Sequence, residues 1–449
     1  MIYFVGKPVN FPDIENCSLE FMLNYFQDKS EIGFDTETTG FDAYLDKILT
    51  YQLGNGVHQF VIDNSMYPIT LISDLLCDKE LIIHNAKFDL KFLFHLNIYP
   101  TKIWDTYLGE AVIYKGNKEV RKALDIVVER YFNAHLNKEI RGKIFREGLT
   151  ERVIKYAAED TKYLLDLKEA QYRKLSSLDL LNSIELENTF VSVLTYAEYC
   201  GFYFDKNTWK KKITQDLEDR NKAIERLNSW VIEQNLTKFI NTQLDLFSTD
   251  KQVNINWDSP KQVAPFLQSL GVNTKIVDEK TGELKDSVEA NVLEKQKNVT
   301  PFISLYIEYK KLEKIISTYG ESFLSKVHPV TGRIHTSFTQ IMDTGRLSSG
   351  GRNGNIETIN LQNIPRIPEN RVEGKVYERD CFIAENGNIL IDADYSGQEQ
   401  IVFANWCLDK DIISFYEKKL GDMHKLIVHL KLGEVRETPY RTILNQVRA

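Results

Sequence analysis

The chain has 449 residues and a formal net charge of −8 at pH 7, and 43% of its residues are hydrophobic. At ~150 residues per domain, this length predicts two to four domains with sizeable cores. The sequence argues against an integral membrane protein, because no apolar run reaches the ~18–20 residues that a membrane span needs, and it shows no signal-peptide pattern. The negative charge does not favour nucleic-acid binding by the whole surface, although a groove needs only local positive potential.

Two short lysine clusters could supply such local potential. They lie at residues 210–212 and at Lys310, Lys311 and Lys314. Taken alone, each cluster is more typical of an ordinary solvated helix face than of a DNA contact.

The cysteines bear on the compartment. They are five, widely scattered and without a C-x-x-C spacing: Cys17, Cys77, Cys200, Cys381 and Cys407. This pattern predicts a reducing cytoplasm and argues against disulfides or a zinc site.

The N-terminal third predicts one sheet with helices around it. The strands are expected at Ile2–Val5, Ile48–Gly54, Gln59–Ile62 and Leu81–His84, and helical segments at Leu19–Phe26 and Leu71–Leu76. The mixture favours an α/β or α+β domain.

A further strand ends in two acidic residues. Successive side chains on a strand point to opposite faces, so Asp35 and Glu37 share one face while Thr36 points away from it. The two carboxylates repel each other, and a divalent cation such as Mg²⁺ or Mn²⁺ would stabilise the pair. The alternative is a solvated strand end that leads into a turn.

Two later segments carry acidic residues on helices. Asn85 is predicted to be the N-cap of a helix over residues 86–95, with Asp89 in its first turn, where it could simply complement the helix dipole. A second helix has Thr150 as its N-cap and places Tyr156 and Asp160 on one face, where a surface hydrogen bond is the alternative interpretation.

Together, the D-x-E strand, the N-x-x-x-D strand-to-helix segment and the Y-x-x-x-D helix resemble the 3′–5′ exonucleases of the four-carboxylate superfamily. The resemblance implies a ribonuclease H-like fold and a single-stranded DNA 3′ end as substrate. It also implies two Mg²⁺ or Mn²⁺ ions at which a phosphodiester is hydrolysed. The residues it identifies are the metal ligands Asp35, Glu37, Asp89 and Asp160, the water-orienting Tyr156, and the DNA-binding Asn85.

The middle of the chain is predicted to be mostly helical. Helices are expected over residues 181–199, 209–234, 260–270 and 301–325, with an exposed loop or hairpin tip over residues 277–285.

The last third contains three polar motifs. Thr344–Ser349 precedes Asn360–Pro365, and a predicted strand over Asn388–Ala393 leads into Asp394–Glu399. Gly350, Gly351 and Gly354 make a flexible loop rather than a phosphate-binding P-loop, because no G-K-[ST] follows them.

These motifs resemble DNA polymerase family A, the bacterial DNA polymerase I type. The resemblance implies that Asp394 binds the catalytic metal ions and that Arg346 contacts the minor groove, where acceptors are common to all base pairs. The other residues that it implies are Gln362 and Asn363 for DNA, and Tyr395, Glu399, His424 and Arg448 for the incoming nucleotide. The expected domains are an exonuclease over 1–175, a palm entry helix and mostly helical thumb over 176–335, and a partial palm over 336–449.

The family pattern also includes a triphosphate-binding lysine and a second palm carboxylate that the sequence does not show. We therefore expect the N-terminal portion of a split, interrupted or truncated polymerase with a compact, phage-like layout. Nucleotide incorporation would then need a second polypeptide, besides primer–template DNA and dNTP.

Two alternatives remain open on the sequence. One is a non-catalytic primer–template-binding subunit of a split polymerase, and the other is a free-standing RNA exonuclease. The thumb and palm motifs speak against the RNA exonuclease.

Overall fold

A computed structural model describes residues 1–136, 148–245, 248–278, 281–353, 356–395 and 397–419. The chain divides into two compact units, Met1–Ile383 and Ala384–Ala449. Within the ranges described, no helix is both long enough and apolar enough to cross a membrane. The five cysteines are free thiols.

A seven-stranded sheet is the centre of the N-terminal part, with strand order β2-β1-β5-β4-β3-β6-β7. The strands are β1 (Ile2–Val5), β2 (Ile14–Asn16), β3 (Glu31–Thr38), β4 (Ile48–Gly54), β5 (Gln59–Asp63), β6 (Glu80–Ile83) and β7 (Ile103–Asp105). Strand β3 pairs antiparallel with β4 and parallel with β6, so both of its edges are hydrogen-bonded. The α/β prediction is confirmed.

Helices pack around this sheet. They are α1 (Leu19–Gln27), α2 (Ser73–Asp78), α3 (Lys87–His95), α4 (Thr106–Ile113), α5 (Leu124–Phe132), α6 (Glu151–Lys162) and α7 (Leu164–Ser177). Large side chains such as Phe34, Tyr51 and Phe60 are fully buried between the layers. Burial of this apolar area drives the sheet and its helices to fold together.

A second helical region follows, built on α8 (Leu181–Cys200) and the long α9 (Lys206–Glu233). It continues with the hairpin β9 (Ile240–Asp245) and β10 (Ser248–Val253), α10 (Pro260–Ser269), the hairpin β11 (Lys275–Val277) and β12 (Leu284–Asp286), α11 (Ala290–Glu294) and α12 (Phe302–Tyr319). Its core contains Trp257, Phe266 and Phe302. The predicted helix that begins near residue 301 ends at Gly320, and a 3₁₀ turn over Glu321–Lys326 continues the chain.

One lysine of the first cluster contradicts its predicted role. Lys212 is only 1% exposed, and its ammonium lies 2.5 Å from Asp216 and 3.2 Å from Glu378. A buried charge requires partners, and the two carboxylates supply them. Lys212 therefore ties α9 to the segment around residue 378 and is not part of a solvated face.

Short two-stranded sheets complete the first unit. Strand β13 (Arg333–Ile334) pairs with β8 (Phe202–Tyr203), and β14 (Phe338–Thr339) pairs with β15 (Ser348–Ser349). Strand β16 (Gly351–Asn353) pairs with β17 (Ile356–Thr358).

In the second unit, the strand predicted over Asn388–Ala393 is absent. Residues 384–395 contain no strand, and Ile389 and Ile391 are more than 80% exposed. A strand needs a hydrogen-bonding neighbour, and this apolar run finds none among the described residues. The described helices of this unit are α13 (Gln398–Cys407) and α14 (Lys410–Glu417).

Candidate active site

Three predicted carboxylates converge in the first unit. Asp35 and Glu37 lie on β3, Asp160 lies on α6, and one ligand atom from each falls within 4.8 Å of the others. All three side chains are half-buried, and all three line one cavity. Such a group of hard oxygen ligands can hold a divalent cation.

Glycines allow α6 to approach the sheet this closely. Gly33 on β3 is the register partner of Gly54 on β4. A Cβ at Gly54 would lie 2.7 Å from Thr161 Oγ1, and one at Gly33 would lie 3.1 Å from the Thr161 carbonyl oxygen. Since Thr161 follows Asp160, these glycines set the distance at which Asp160 meets Asp35 and Glu37.

Asp89 lines the same cavity but lies outside the group of three. Its side chain is 2% exposed, and its Oδ1 accepts a 2.6 Å hydrogen bond from the Thr36 hydroxyl. Burial raises the pKa of the Asp89 carboxyl to about 7; the hydrogen bond from Thr36 lowers it, and nearby Asp105 raises it. Its predicted role as a metal ligand stays a prediction.

Asp105 fixes the turn that begins α3. Its carboxylate accepts 2.9 Å hydrogen bonds from the backbone N–H groups of Asn85 and Ala86. Asn85 adopts a positive φ of 65° and is exposed, while the N-cap position falls at Ala86. The predicted N-cap role of Asn85 is therefore wrong, because Asn85 lies one residue before the N-cap position, in the turn that the Asp105 carboxylate holds.

The carboxylates described so far line a single cavity of ≈ 950 Å³. Its lining includes the carboxylates Asp35, Glu37, Asp89 and Asp160, the aromatic residues Phe41, Phe88, Tyr107 and Tyr156, the cations Lys87 and Lys91, and Ser337, Phe338, Thr339, Gln340 and Ile341. The cavity thus combines a metal-binding edge, flat apolar faces and positive charge.

Two side chains of the lining have distinct chemical uses. Tyr156 is 6% exposed and comes from the same helix as Asp160, four residues earlier, as predicted. Phe41 is 41% exposed, and its ring centroid lies 6.0 Å from that of Phe88. Exposed aromatic faces of this kind can stack on unpaired bases.

The predicted DNA-binding residues of the last third lie together in the first unit. Arg346 is exposed on a tight turn in which the Met342 N–H donates to the Arg346 carbonyl oxygen at 3.2 Å. Gln362 accepts from the Ser349 N–H at 2.9 Å, and the Asn363 carbonyl oxygen accepts from the Tyr319 hydroxyl at 2.9 Å. These contacts join the turn to the C-terminal end of α12.

The predicted nucleotide-binding residues belong to the second unit. Asp394 and Tyr395 are exposed on the irregular segment, and Glu399 is exposed in the first turn of α13. His424 and Arg448 lie outside the described residues. The assembly of these groups into a polymerase site stays a prediction.

Sequence reasoning missed Thr36, Asp105 and Phe41. Thr36 was assigned to the far face of β3, yet its hydroxyl reaches Asp89 on α3. For Asp105, the available signal is an aspartate directly after a buried strand, the same pattern that identified Asp35. For Phe41, no local pattern distinguishes a cavity aromatic from a surface one.

Comparison with known proteins identifies two domain families along the chain. A family model described as 3′-5′ exonuclease matches residues 15–175, and one described as DNA polymerase family A matches residues 228–440. The DNA polymerase I of Aquifex aeolicus is 27% identical over 424 residues, covering 90% of this chain and 64% of that protein. The DNA polymerase I of Chloroflexus aurantiacus is 30% identical over 359 residues, covering 76% of this chain and 34% of that protein.

The chain thus spans less than two thirds of either relative. Among solved structures, the POL domain of Pol1 from M. smegmatis, in complex with DNA primer-template and dNTP, aligns with a TM-score of 0.68. That alignment covers 98% of this chain and 70% of the other at 20% identity, and it supports the fold. Residues 15–175 thus match a 3′–5′ exonuclease domain, and residues 228–440 match a DNA polymerase family A domain that follows it in the sequence.

Proposed function

We propose that the chain is a 3′–5′ exonuclease that shortens single-stranded DNA ends, within a replicative polymerase whose errors it removes. The observation that carries this proposal is the convergence of Asp35, Glu37 and Asp160 at the edge of a cavity. Three carboxylates at this separation repel one another in the absence of a cation. A divalent cation bound between the three carboxylates would offset this repulsion, as an exonuclease that requires such ions needs.

Mg²⁺ or Mn²⁺ fits the donor set. Asp35, Glu37 and Asp160 would hold one ion, and Asp89, buried in the same cavity, would join them for a second. When bound, such ions supply Lewis-acid activation of a phosphodiester and of water. The raised pKa of Asp89 fits this role, since a nearby cation would favour the ionised carboxylate.

The protein's own side chains would orient the DNA. The Tyr156 hydroxyl would hydrogen-bond the attacking water or the phosphate, and Phe41 and Phe88 would stack against the terminal bases. Lys87 and Lys91 line the cavity that the strand must enter, and both ammonium groups pair with the carboxylate of Glu198.

The polymerase roles form a second, separate part of the proposal. We assign the exonuclease to residues 1–175, the palm entry helix and thumb to 176–335, and part of the palm to 336–449. Arg346, Gln362 and Asn363 would contact primer–template DNA. Asp394 would bind metal, and Tyr395 and Glu399 would contact the nucleotide.

A labelled single-stranded oligonucleotide tests the nuclease. Stepwise shortening from the 3′ end with Mg²⁺ or Mn²⁺, abolished by chelation and by Asp35→Asn with Glu37→Gln, is expected. The control is Glu31→Gln on the same strand β3, because Glu31 contacts Lys168 and lies outside the cluster. Persistent cleavage by the double variant would refute the proposal, and an RNA oligonucleotide compared in parallel tests the RNA exonuclease alternative.

The chain could instead be a non-catalytic primer–template-binding subunit of a split polymerase. Arg346 is exposed and is not part of the lining of the nuclease cavity, which favours DNA binding independently of the nuclease. This alternative predicts salt-dependent duplex binding that survives Asp35→Asn, together with no cleavage by the unsubstituted chain.

A further inference from the structure

One wall of the nuclease cavity comes from the polymerase region. Residues 337–341, here called the wall segment, line the cavity together with Asp35, Glu37 and Asp160. The carboxylates lie in the exonuclease match over 15–175, whereas the wall segment lies in the polymerase match over 228–440. The wall segment includes β14 and leads directly into the turn that carries Arg346.

A buried carboxylate holds the wall segment in place. Glu198, on α8, is 2% exposed, and its Oε1 accepts a 2.6 Å hydrogen bond from the Phe338 N–H. The same oxygen accepts a 2.6 Å hydrogen bond from Lys87 Nζ, which also donates to the Phe338 carbonyl oxygen. Both backbone groups of Phe338 are therefore fixed by one ion pair.

A second lysine completes the arrangement. Lys91 Nζ lies 2.5 Å from Glu198 Oε2 and, unlike Lys87, does not hydrogen-bond Phe338. Burial favours the neutral acid, but the two lysines outweigh it and hold the pKa of Glu198 below its ordinary value. Because Lys87 and Lys91 both belong to α3, Glu198 joins the wall segment to the helix that carries Asp89.

Gln340 gives an independent reason to regard the wall segment as a ligand surface. Its Nε2 donates to the backbone oxygen of Glu187 at 2.8 Å and to Glu187 Oε2 at 2.6 Å. Its Oε1 is buried and has no hydrogen-bond partner within the described residues, although Gln340 lines the cavity. A buried acceptor of this kind carries a free-energy cost that a donor on a bound strand would relieve.

We propose that Glu198 is a positioning residue that fixes the wall segment as a DNA-contacting side of the nuclease cavity, so that the polymerase region helps to bind the strand that the nuclease cuts. The inference rests on the proposed function, and it assigns to the wall segment a part in setting the affinity for the DNA strand. Glu198 does not touch the reacting atoms; it acts through Phe338 and Lys87.

The test compares four variants of the full chain on a single-stranded oligonucleotide with Mg²⁺. They are Glu198→Gln, Lys87→Met, Lys91→Met and the control Glu110→Gln. Glu110 is also a fully buried carboxylate, but it accepts from Tyr131 and Gln171 and not from the wall segment. Loss of uniform substrate binding appears in KM and not in kcat.

Glu198→Gln and Lys87→Met are each expected to raise KM about tenfold with kcat within about twofold of the unsubstituted chain. Lys91→Met should raise KM by less, because Lys91 does not contact Phe338. Glu110→Gln should leave KM unchanged even where it lowers the thermal midpoint. Equal effects of the two lysine variants, or an unchanged KM in Glu198→Gln, would overturn the inference.

Direct phosphate binding by Lys87 gives a different result. In that case Lys87→Met raises KM, but Glu198→Gln frees the lysine and lowers KM, which also overturns the inference.

Hydrogen exchange supplies a readout that needs no cleavage: Glu198→Gln should speed exchange of the Phe338 amide, and Glu110→Gln should not. Absence of any cleavage by the unsubstituted chain would refute the proposed function, whereas unchanged exchange at Phe338 would refute the positioning role alone.

Discussion

Asp35 and Asp394 follow similar apolar runs in the sequence, yet the structure places them in different surroundings. Asp35 lies on β3, whose two edges pair with β4 and β6, and it meets Glu37 and Asp160 within 4.8 Å. Asp394 follows Ile389–Ile391, a run that is exposed and unpaired among the described residues. The same local pattern therefore leads to a built site in one place and to an exposed side chain in the other.

The difference shows what a strand-end aspartate needs in order to become a ligand. Neighbouring strands fix the direction in which its side chain points, and a helix from elsewhere in the chain must supply the next carboxylate. Gly33 and Gly54 allow α6 to do this for Asp35. The described part of the second unit provides no such neighbours for Asp394.

The largest expected effect is on the rate of 3′ shortening, and it distinguishes Asp35 from Asp394. Asp35→Asn should lower the rate of Mg²⁺-dependent 3′ shortening by about 10³-fold, since a lost metal ligand removes several kcal/mol of transition-state stabilisation. Asp394→Asn should leave that rate unchanged. Gel assays of a labelled single strand measure both variants, and a comparable loss in Asp394→Asn would contradict the separation.

Asp89 makes a pH-dependent contribution to the stability of the metal-free chain. Its folded pKa of about 7 is above the ordinary value of 3.8, so the buried neutral acid is favoured on folding. The stability that Asp89 contributes is complete below its unfolded pKa and is lost as the pH rises through about 7. Urea unfolding in the presence of a chelator should show a free energy of unfolding lower by a few kcal/mol at alkaline pH than at acidic pH.

Asp89→Asn is the matched control for this effect. The amide oxygen can still accept the hydrogen bond from Thr36 but does not titrate in this range. The variant should therefore lose part of the pH dependence, while the part due to buried Asp105, whose pKa burial also raises, remains. Identical pH profiles for the two proteins would show that folding does not raise the pKa of Asp89.

Tyr156 is expected to have a smaller effect than Asp35. Tyr156→Phe removes only the hydroxyl, and one lost hydrogen bond to water or phosphate corresponds to about a tenfold lower kcat. Tyr163→Phe, just beyond the same helix, is the control, because Tyr163 does not line the cavity. A loss as large as that of Asp35→Asn would give Tyr156 a more direct part in the reaction.

Much of the N-terminal fold could be predicted because its signals are local. The strands Ile2–Val5 and Ile48–Gly54 were predicted with the observed bounds, and Thr150 is the N-cap of α6, its hydroxyl accepting from the Val153 N–H. Alternation, apolar runs and caps are properties of a few consecutive residues. The convergence of Asp35, Glu37 and Asp160 was predictable only through a resemblance that joins three such segments.

The remaining features depend on contacts between distant parts of the chain. The carboxylate of Asp105 holds the turn before α3, and Glu198 fixes Phe338 across 140 residues. In the sequence, Lys212 is one of three consecutive lysines, and only the contact with Glu378 in the structure distinguishes it from a surface lysine. The strand predicted over Asn388–Ala393 fails for the same reason, because its apolar pattern specifies a strand only where a neighbour can pair with it.

The smallest expected effect tests whether the contrast between Asp35 and Asp394 also holds for the two units that carry them. A chain ending at Ile383 keeps every residue that lines the nuclease cavity, including the wall segment and Glu198. Its kcat and KM for single-stranded DNA should therefore stay within about twofold of those of the full chain. The matched full-length variant Trp406→Ala, which alters an 85% exposed side chain of the second unit, should behave the same way. A tenfold loss on truncation would mean that residues 384–449 contribute to the nuclease, and the contrast between Asp35 and Asp394 would then hold for single side chains but not for the units that carry them.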